Sequence, residues 1–247
     1  MTREQIIQIF NSWTYSGFRD FYERWADYLK YRFMDDYSYR IEPSIVYPAV
    51  KDSIMVFEVR CNEDISFNNQ IRNNDLLLVA EVVDDASSTL SIALHKFNCT
   101  TDPCSKKYRI AHTARQIYRG NVGIHRNNEG RLCIRSDHGF GTYIRRTDGD
   151  GEILKINGHV DAYPDHVGIN IHDNGGFANS SLGCTILAGA DYLHPGPYRD
   201  EFKPLLVKCS NKENIPVALI DAEDVEDIIK WDAHKAIREN PSECPLS

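Results

Sequence analysis

The chain lacks a basic excess, a long apolar run and a regular cysteine framework, and each absence excludes something. Its 28 Lys+Arg stand against 36 Asp+Glu, a formal net charge of −8. Holding DNA or RNA by its phosphates needs a basic face, so nucleic acid is not an expected partner. No apolar stretch approaches the roughly 20 residues that cross a bilayer, and no membrane span is expected. The longest run, residues 76–80, lies in a mixed strand. The seven cysteines are too sparse and irregular for a disulfide-stapled miniprotein, and their odd number leaves at least one thiol unpaired if the others bridge. No CxxC occurs, and Cys99 with Cys104 is the one close pair, so a structural zinc site has little support. The opening MTREQIIQIF carries charges and no long apolar core. A secretory leader is therefore not expected, and synthesis in a reducing cytoplasm is.

What is present is enough for a packed core: 247 residues, 42% hydrophobic, room for one large domain or two small ones. Ile6, Phe10 and Trp13 recur at helical spacing, and Phe21, Trp25 and Tyr28 repeat the pattern after a break near Ser16-Gly17. Helix is predicted over 2–39, its aromatic stripe facing a core. From about residue 54 to 221 the texture changes to short β-rich runs separated by Asn, Asp, Gly and Ser clusters. Strands are predicted over 54–60, 76–83, 89–97, 116–119, 131–135, 142–146, 167–171 and 217–220. The tail 222–239 reads as helix, with Asp221 as N-cap and Pro241 as stop. The expected fold is mainly β (α+β): a helical N-terminal segment over 1–42, a β-sandwich-like domain over 43–221, and a C-terminal helix and tail over 222–247.

The stretch richest in chemistry is His166-Val167-Gly168-Ile169-Asn170-Ile171-His172, followed by Asp173-Asn174-Gly175-Gly176 and by Ser180-Ser181-Leu182-Gly183-Cys184. A strand is expected to deliver His172 at its end, a glycine-rich turn to reverse the chain, and a second strand to begin at Cys184. That places an imidazole beside a thiol. The imidazole can accept the thiol proton, and the thiolate is the attacking species. Gly183 permits a tight turn whose backbone N–H groups face a developing oxyanion. Taken alone, a single cysteine on an apolar strand is more often inert core.

This segment resembles the active-site region of the L,D-transpeptidase (YkuD-type) catalytic domain, and within that superfamily a phage-associated branch with a GINIH segment and a Ser-x-Gly-Cys motif. Here these are residues 168–172 and Ser181-Leu182-Gly183-Cys184. Weaker echoes lie at Phe67-Asn68-Asn69, Thr100-Thr101-Asp102-Pro103 and Gly123-Ile124-His125, and from Tyr143 through the turn at 148–151. The resemblance spans 54–221, about two-thirds of the chain. It implies a cysteine acyl-transfer enzyme without a cofactor, acting on peptidoglycan stem peptides. Cys184 matches the nucleophile and His172 its base, while Ser181, Gly183, Asp173 and His125 match the loop and cleft around them. Leu182 stands where the family usually has a histidine, and Thr185-Ile186 replaces the Arg or Asn that often follows the cysteine. The implied reaction is hydrolysis or transpeptidation, in cell-wall degradation or within a virion. The alternative is a catalytically inactive structural or binding protein of the same fold, for instance a virion component with protein partners.

Other clusters carry less. His159, Asp161, Asp165, His166, His172 and Asp173 offer ligand atoms but no spaced metal signature. The run Thr147-Asp148-Gly149-Asp150-Gly151 resembles a calcium loop, but Arg146 and Asn157 stand at its first and twelfth positions. No metal is expected.

Overall fold

A computed structural model of the chain describes residues 1–32, 39–41, 45–61, 75–83, 90–101, 111–113, 115–135, 143–145, 155–156, 159–160, 162–163, 170–173, 184–189 and 192–231. The chain opens with helix α1 (Arg3–Asn11), started by a capping box. The Thr2 hydroxyl accepts from the Gln5 N–H, and the Gln5 side chain accepts from the Thr2 N–H at 2.8 Å. Helix α2 (Tyr15–Arg32) follows. The break between them falls at 12–14, where the Ser12 N–H and hydroxyl both turn back to the Ile9 carbonyl, and Gly17 lies inside α2 rather than at the break. The helix predicted as far as residue 39 also stops earlier: Tyr39–Ile41 is strand β1. Its backbone groups find a parallel partner in a sheet, which local periodicity does not reveal.

The following strands build most of the molecule. β2 (Ile54–Arg60), β3 (Asp75–Val83) and β4 (Ser91–Thr100) form an antiparallel meander. After β5 (Ala111–Thr113), β6 (Arg115–Ile124) and β7 (Leu132–Arg135) form a hairpin. β8 (Tyr143–Arg145), β9 (Lys155–Ile156), β10 (His159–Val160) and β11 (Ala162–Tyr163) are short; β8 and β11 join β5 in a three-stranded sheet, and β9 pairs with β10. β12 (Asn170–His172) and β13 (Thr185–Leu187) return to the main sheet. Helix α3 (Lys203–Lys208), extended at its start by a wider turn over Tyr198–Phe202, precedes β14 (Ile215–Asp221) and α4 (Val225–Lys230).

The main sheet runs β6-β14-β2-β3-β4-β13-β12-β7 and back to β6, so eight strands close into a barrel. The closure depends on the length of β6. Its residues 116–120 pair with β14, while 121–124 pair with β7. The mainly β fold with flanking helices follows the reading from sequence; ring closure is a feature that reading did not contain.

Alternation along each strand divides the buried residues into two clusters. Met55, Phe57 and Val59 of β2, Leu76, Leu78 and Ala80 of β3, and Ala218 and Ile220 of β14 face outward and pack beneath α1, α2 and α4. Phe10, Phe18, Phe21, Tyr22 and Trp25 meet them there, with Phe57 at the centre of the ring contacts. Each such side chain taken from water contributes roughly 1.5–3 kcal/mol. The opposite residues, Ile54, Val56, Leu77, Val79, Phe97, Ile134, Ile171, Leu187, Ile215 and Val217, fill the lumen, joined by Tyr198, Phe202 and Leu206 from the α3 region. Gly120 belongs to this interior: a Cβ there would come within 2.5 Å of Ile134 Cγ2. Among the described residues no helix is long and apolar enough to cross a membrane.

The predicted tail helix is shorter in its described part, Val225–Lys230, with Asp224 rather than Asp221 at the cap position. Neither acid caps it by side chain. Arg115 engages Asp221 at 2.7 Å, Glu223 at 3.0 Å and Asp224 at 2.7 Å, and Arg60 adds a second guanidinium to Asp221 at 3.0 Å. These three acids lie close enough to resemble a metal cluster, but guanidinium groups already balance them.

One buried tyrosine ties helix to sheet. The Tyr22 hydroxyl lies 2.6 Å from the Val56 carbonyl and 2.9 Å from that of Pro216, on neighbouring strands, and burial pushes its pKa well above the ordinary value, so it stays a donor. Tyr22→Phe is expected to lower unfolding free energy by about 1–3 kcal/mol, the cost of buried carbonyls losing their donor. Urea denaturation checks this, with the slope unchanged.

Candidate active site

The chemistry gathers where the ring closes. β12 lies between β7 and β13, with Ile171 opposite Ile134 on one side and Thr185 on the other. Ile171 packs in the lumen, so the next residue, His172, points to the opposite face. β12 and β13 run parallel. The expected chain reversal between them is therefore corrected. A tight reversal would leave the two strands antiparallel, and parallel neighbours need a crossover link instead. That link, with the predicted site residues Ser181 and Gly183, lies outside the described residues.

Parallel pairing still brings the two expected groups together. Cys184 precedes Thr185, and a side-chain hydrogen bond joins it to His172. The other ring nitrogen, Nδ1, donates to the Asp173 backbone carbonyl and lies 3.7 Å from the Asp173 carboxylate. This fixes the ring and leaves Nε2 for the thiol. Asp173 has no exposed surface, and its Oδ1 accepts from Arg131 at 2.8 Å. Arg131 in turn lies over the Tyr192 ring, 5.3 Å from its centroid.

The β6–β7 hairpin delivers both Arg131 and His125. Its turn is held by the His125 N–H donating to the Arg131 carbonyl at 2.8 Å, with Arg126 and Asn127 in the left-handed region at φ 51° and 56°. Beside it Gly123 leaves room for the Arg135 side chain, which a Cβ would meet. The His125 ring stacks on that of His172, centroids 3.9 Å apart and planes 21° from parallel. His125 is 6% exposed, and among the described residues neither ring nitrogen has a hydrogen-bond partner.

The two imidazoles are driven apart electrostatically. Burial alone would lower the His172 pKa, but the bonds to Asp173 and Cys184 outweigh it and raise it to about 9. Burial lowers that of His125, and the neighbouring charges of His172, Arg131 and Arg126 lower it further, to about 4. Burial also opposes ionisation of Asp173, yet its bonds to His172 and Arg131 hold its carboxyl below the ordinary range. At neutral pH the site holds one imidazolium, one neutral imidazole and one carboxylate.

Cys184 is distinguished from the other thiols. Of the described cysteines, Cys61, Cys99, Cys133 and Cys209 are buried and Cys184 is partly exposed. Burial pushes the Cys99 thiol well above the ordinary value and that of Cys209 to about 11. Cys184 is partly exposed and paired with an imidazolium, the setting in which a thiol reacts.

Of the six predicted site residues, Cys184, His172, Asp173 and His125 come together. Arg131, which orients Asp173, was missed from sequence. Its place in the site comes from the strand pairing of β7 with β12, and no motif marks it. Of the predicted metal set, the side chains of His172 and Asp173 alone are described. Comparisons with protein-family models, with curated proteins and with solved structures give no match.

The stacked histidines make opposite demands on folding. Taking about 6.5 for an unfolded histidine, His172 contributes stability that is complete below that value and lost as pH rises through about 9. His125, depressed to about 4, gives stability present above about 6.5 and lost as pH falls toward 4. Urea unfolding across pH 4–10 is expected to peak near neutrality. Asp173→Asn should flatten the alkaline limb and His125→Phe the acid one, with ring-proton NMR placing the two titrations.

Proposed function

We propose that the chain is a cysteine-dependent acyl-transfer enzyme acting on peptidoglycan stem peptides, with Cys184 as nucleophile and His172 as its general base and acid. The observation that carries this reading is the Cys184–His172 hydrogen bond in a site where Asp173 orients the imidazole. That nucleophile, base and orienting group is the arrangement acyl transfer requires. The substrate class comes from the resemblance of the 168–172 and Ser181-Leu182-Gly183-Cys184 segments to L,D-transpeptidase domains, and the β-sandwich-like catalytic fold of that superfamily is part of the same proposal.

In this mechanism the Cys184 thiolate attacks the carbonyl carbon of the bond preceding a D-amino acid. A tetrahedral intermediate forms, and the resemblance implies that backbone N–H groups near Gly183-Cys184 hold its oxyanion. His172, charged at neutral pH, gives its Nε2 proton to the leaving amine as the C–N bond breaks. The neutral ring then takes a proton from the acceptor that attacks the thioester. Water as acceptor gives a carboxypeptidase or endopeptidase, and an amine gives a transpeptidase. Arg131 keeps Asp173 ionised, so the imidazolium is stabilised through the cycle.

Leu182 in place of the usual motif histidine favours a second reading, an inactive protein of this architecture that serves as a structural or binding component, with other proteins as partners. Mass analysis of muropeptides separates the two. Purified protein incubated with isolated stem peptides or sacculi is expected to release or exchange D-amino acids. Cys184→Ser should lower the rate at least ~10³-fold and His172→Gln about 10²–10⁴-fold without unfolding the chain. Equal product from wild type and Cys184→Ser would reject the nucleophile.

A further inference from the structure

A carboxyl inside the barrel reaches the strand of the nucleophile from the other side of the ring. Glu58 lies on β2, and Thr185 lies on β13, three positions away in the strand order, with β3 and β4 between them. Glu58 Oε1 accepts from the Tyr118 hydroxyl at 2.9 Å, and its Oε2 accepts from the Thr185 hydroxyl. Glu58 and Thr185 are each 3% exposed. One carboxyl thus joins β2, β6 and β13 across a lumen filled by apolar residues such as Val56 and Ile171.

Few physical reasons favour such a group for stability alone. Burial raises the Glu58 pKa and makes its charged form expensive. An apolar residue of similar volume would fill the lumen with less penalty. What an apolar residue lacks is direction: two hydrogen bonds fix where β13 sits relative to β2 and β6. β13 has three residues, and Thr185 is the one beside Cys184. A displacement of that strand along its axis would carry the thiol out of register with His172, whose strand β12 is also anchored on β7.

We propose that Glu58 is a positioning residue for Cys184. Acting through Thr185, it fixes the start of β13 so that the thiol meets the His172 imidazole. The proposal rests on the acyl-transfer reading for its function, but its geometry concerns the thiol itself. The ionisable groups around Glu58 are Tyr118 on β6, Tyr22 on α2, Arg60 on its own strand, Asp75 on β3 and Cys99 on β4. Among the described residues, His172 and Tyr118 act on the thiol.

The test is the rate of Cys184 alkylation by iodoacetamide between pH 6 and 9, read by peptide mass mapping so that each cysteine is scored separately. Thr185→Val and Glu58→Gln are each expected to slow alkylation at pH 7 by about 3–10-fold through lost alignment, and to move the acid limb of the profile to higher pH. Thr185→Ser, which keeps the hydroxyl, should stay within about twofold of wild type. The double variant Glu58→Gln/Thr185→Val should be no slower than the slower single one, because both remove the same link. Wild-type rates in both single variants, or effects that multiply in the double, would overturn the proposal. If Glu58→Gln does not fold, the Thr185→Val and Thr185→Ser pair decides, with urea midpoints as control. Coupled alkylation beside muropeptide products that do not depend on Cys184 would reject acyl transfer and leave the positioning role standing. Cys184-dependent products with uncoupled alkylation would do the reverse.

Discussion

Everything at the site depends on how one strand divides its hydrogen bonds. β6 has ten residues, and no single neighbour satisfies them all. Its first half lies between β14 and β1, and its second half turns to β7. Backbone N–H and C=O groups must be paired when buried, so this handover decides where the ring shuts. The tight turn after it puts His125 and Arg131 at the edge of the closing seam, beside the end of β12. Two short strands, three residues each, then complete the circuit back to β4. Strands so short have little pairing energy of their own. Their register is specified by what their side chains meet: Ile171 and Leu187 in the lumen, Thr185 against Glu58, His172 against Asp173.

Stacking two imidazoles is a choice with electrostatic consequences. Two charged rings 3.9 Å apart would repel strongly in a buried setting, so only one can carry a proton at neutral pH. The carboxylate of Asp173 and the thiol of Cys184 decide which. Both lie on His172, while Arg131 and Arg126 act against a second positive charge on His125. The neutral ring then presents its face to the charged one and keeps water from its back, which strengthens the bond between His172 and Cys184. The orphaned nitrogens of His125 are the counterweight of that arrangement.

Much of the fold was legible because the main strands are buried on both faces and so read as short apolar runs between turn residues. β2 matches the predicted range in full, and β3, β7 and β14 differ by one or two residues at their ends. What failed to show in sequence was non-local. β1 lies in a segment of helical texture and is a strand because β6 lies alongside. The helix over 203–208 follows Pro195 and Pro197 and contains Pro204, residues that usually interrupt helices, and Pro204 is tolerated because it falls in the first turn. Its apolar members Tyr198, Phe202 and Leu206 nevertheless recur every four residues, a signal that was present. In the site, Cys184 and His172 were legible by type and spacing, but their parallel pairing was not, since twelve positions of separation suit either a turn or a crossover. Glu58 did leave a trace: a lone acid in the run Ile54-Met55-Val56-Phe57-Glu58-Val59 must either break the strand or be bonded within it.

The net charge of −8 looks ill-suited to a site that depends on a thiolate, because a negative field raises the energy of another anion. The barrel resolves this by locality rather than by composition. Charges on opposite sides of the molecule are separated by far more than a Debye length of about 8 Å at physiological salt, so most of the acidic surface is screened from the thiol. At the site the thiol meets the His172 imidazolium, and the Asp173 carboxylate behind it is offset by Arg131. The acids at the far end of β14 are balanced where they stand, Asp221 by Arg60 and Arg115, and Asp224 by Arg115. Glu58 is an acid inside the ring that reaches the nucleophile's strand. Two hydroxyls hold it directly, which gives β13 its direction, while the buried Arg60 on the same strand lowers the cost of its charge without a direct bond.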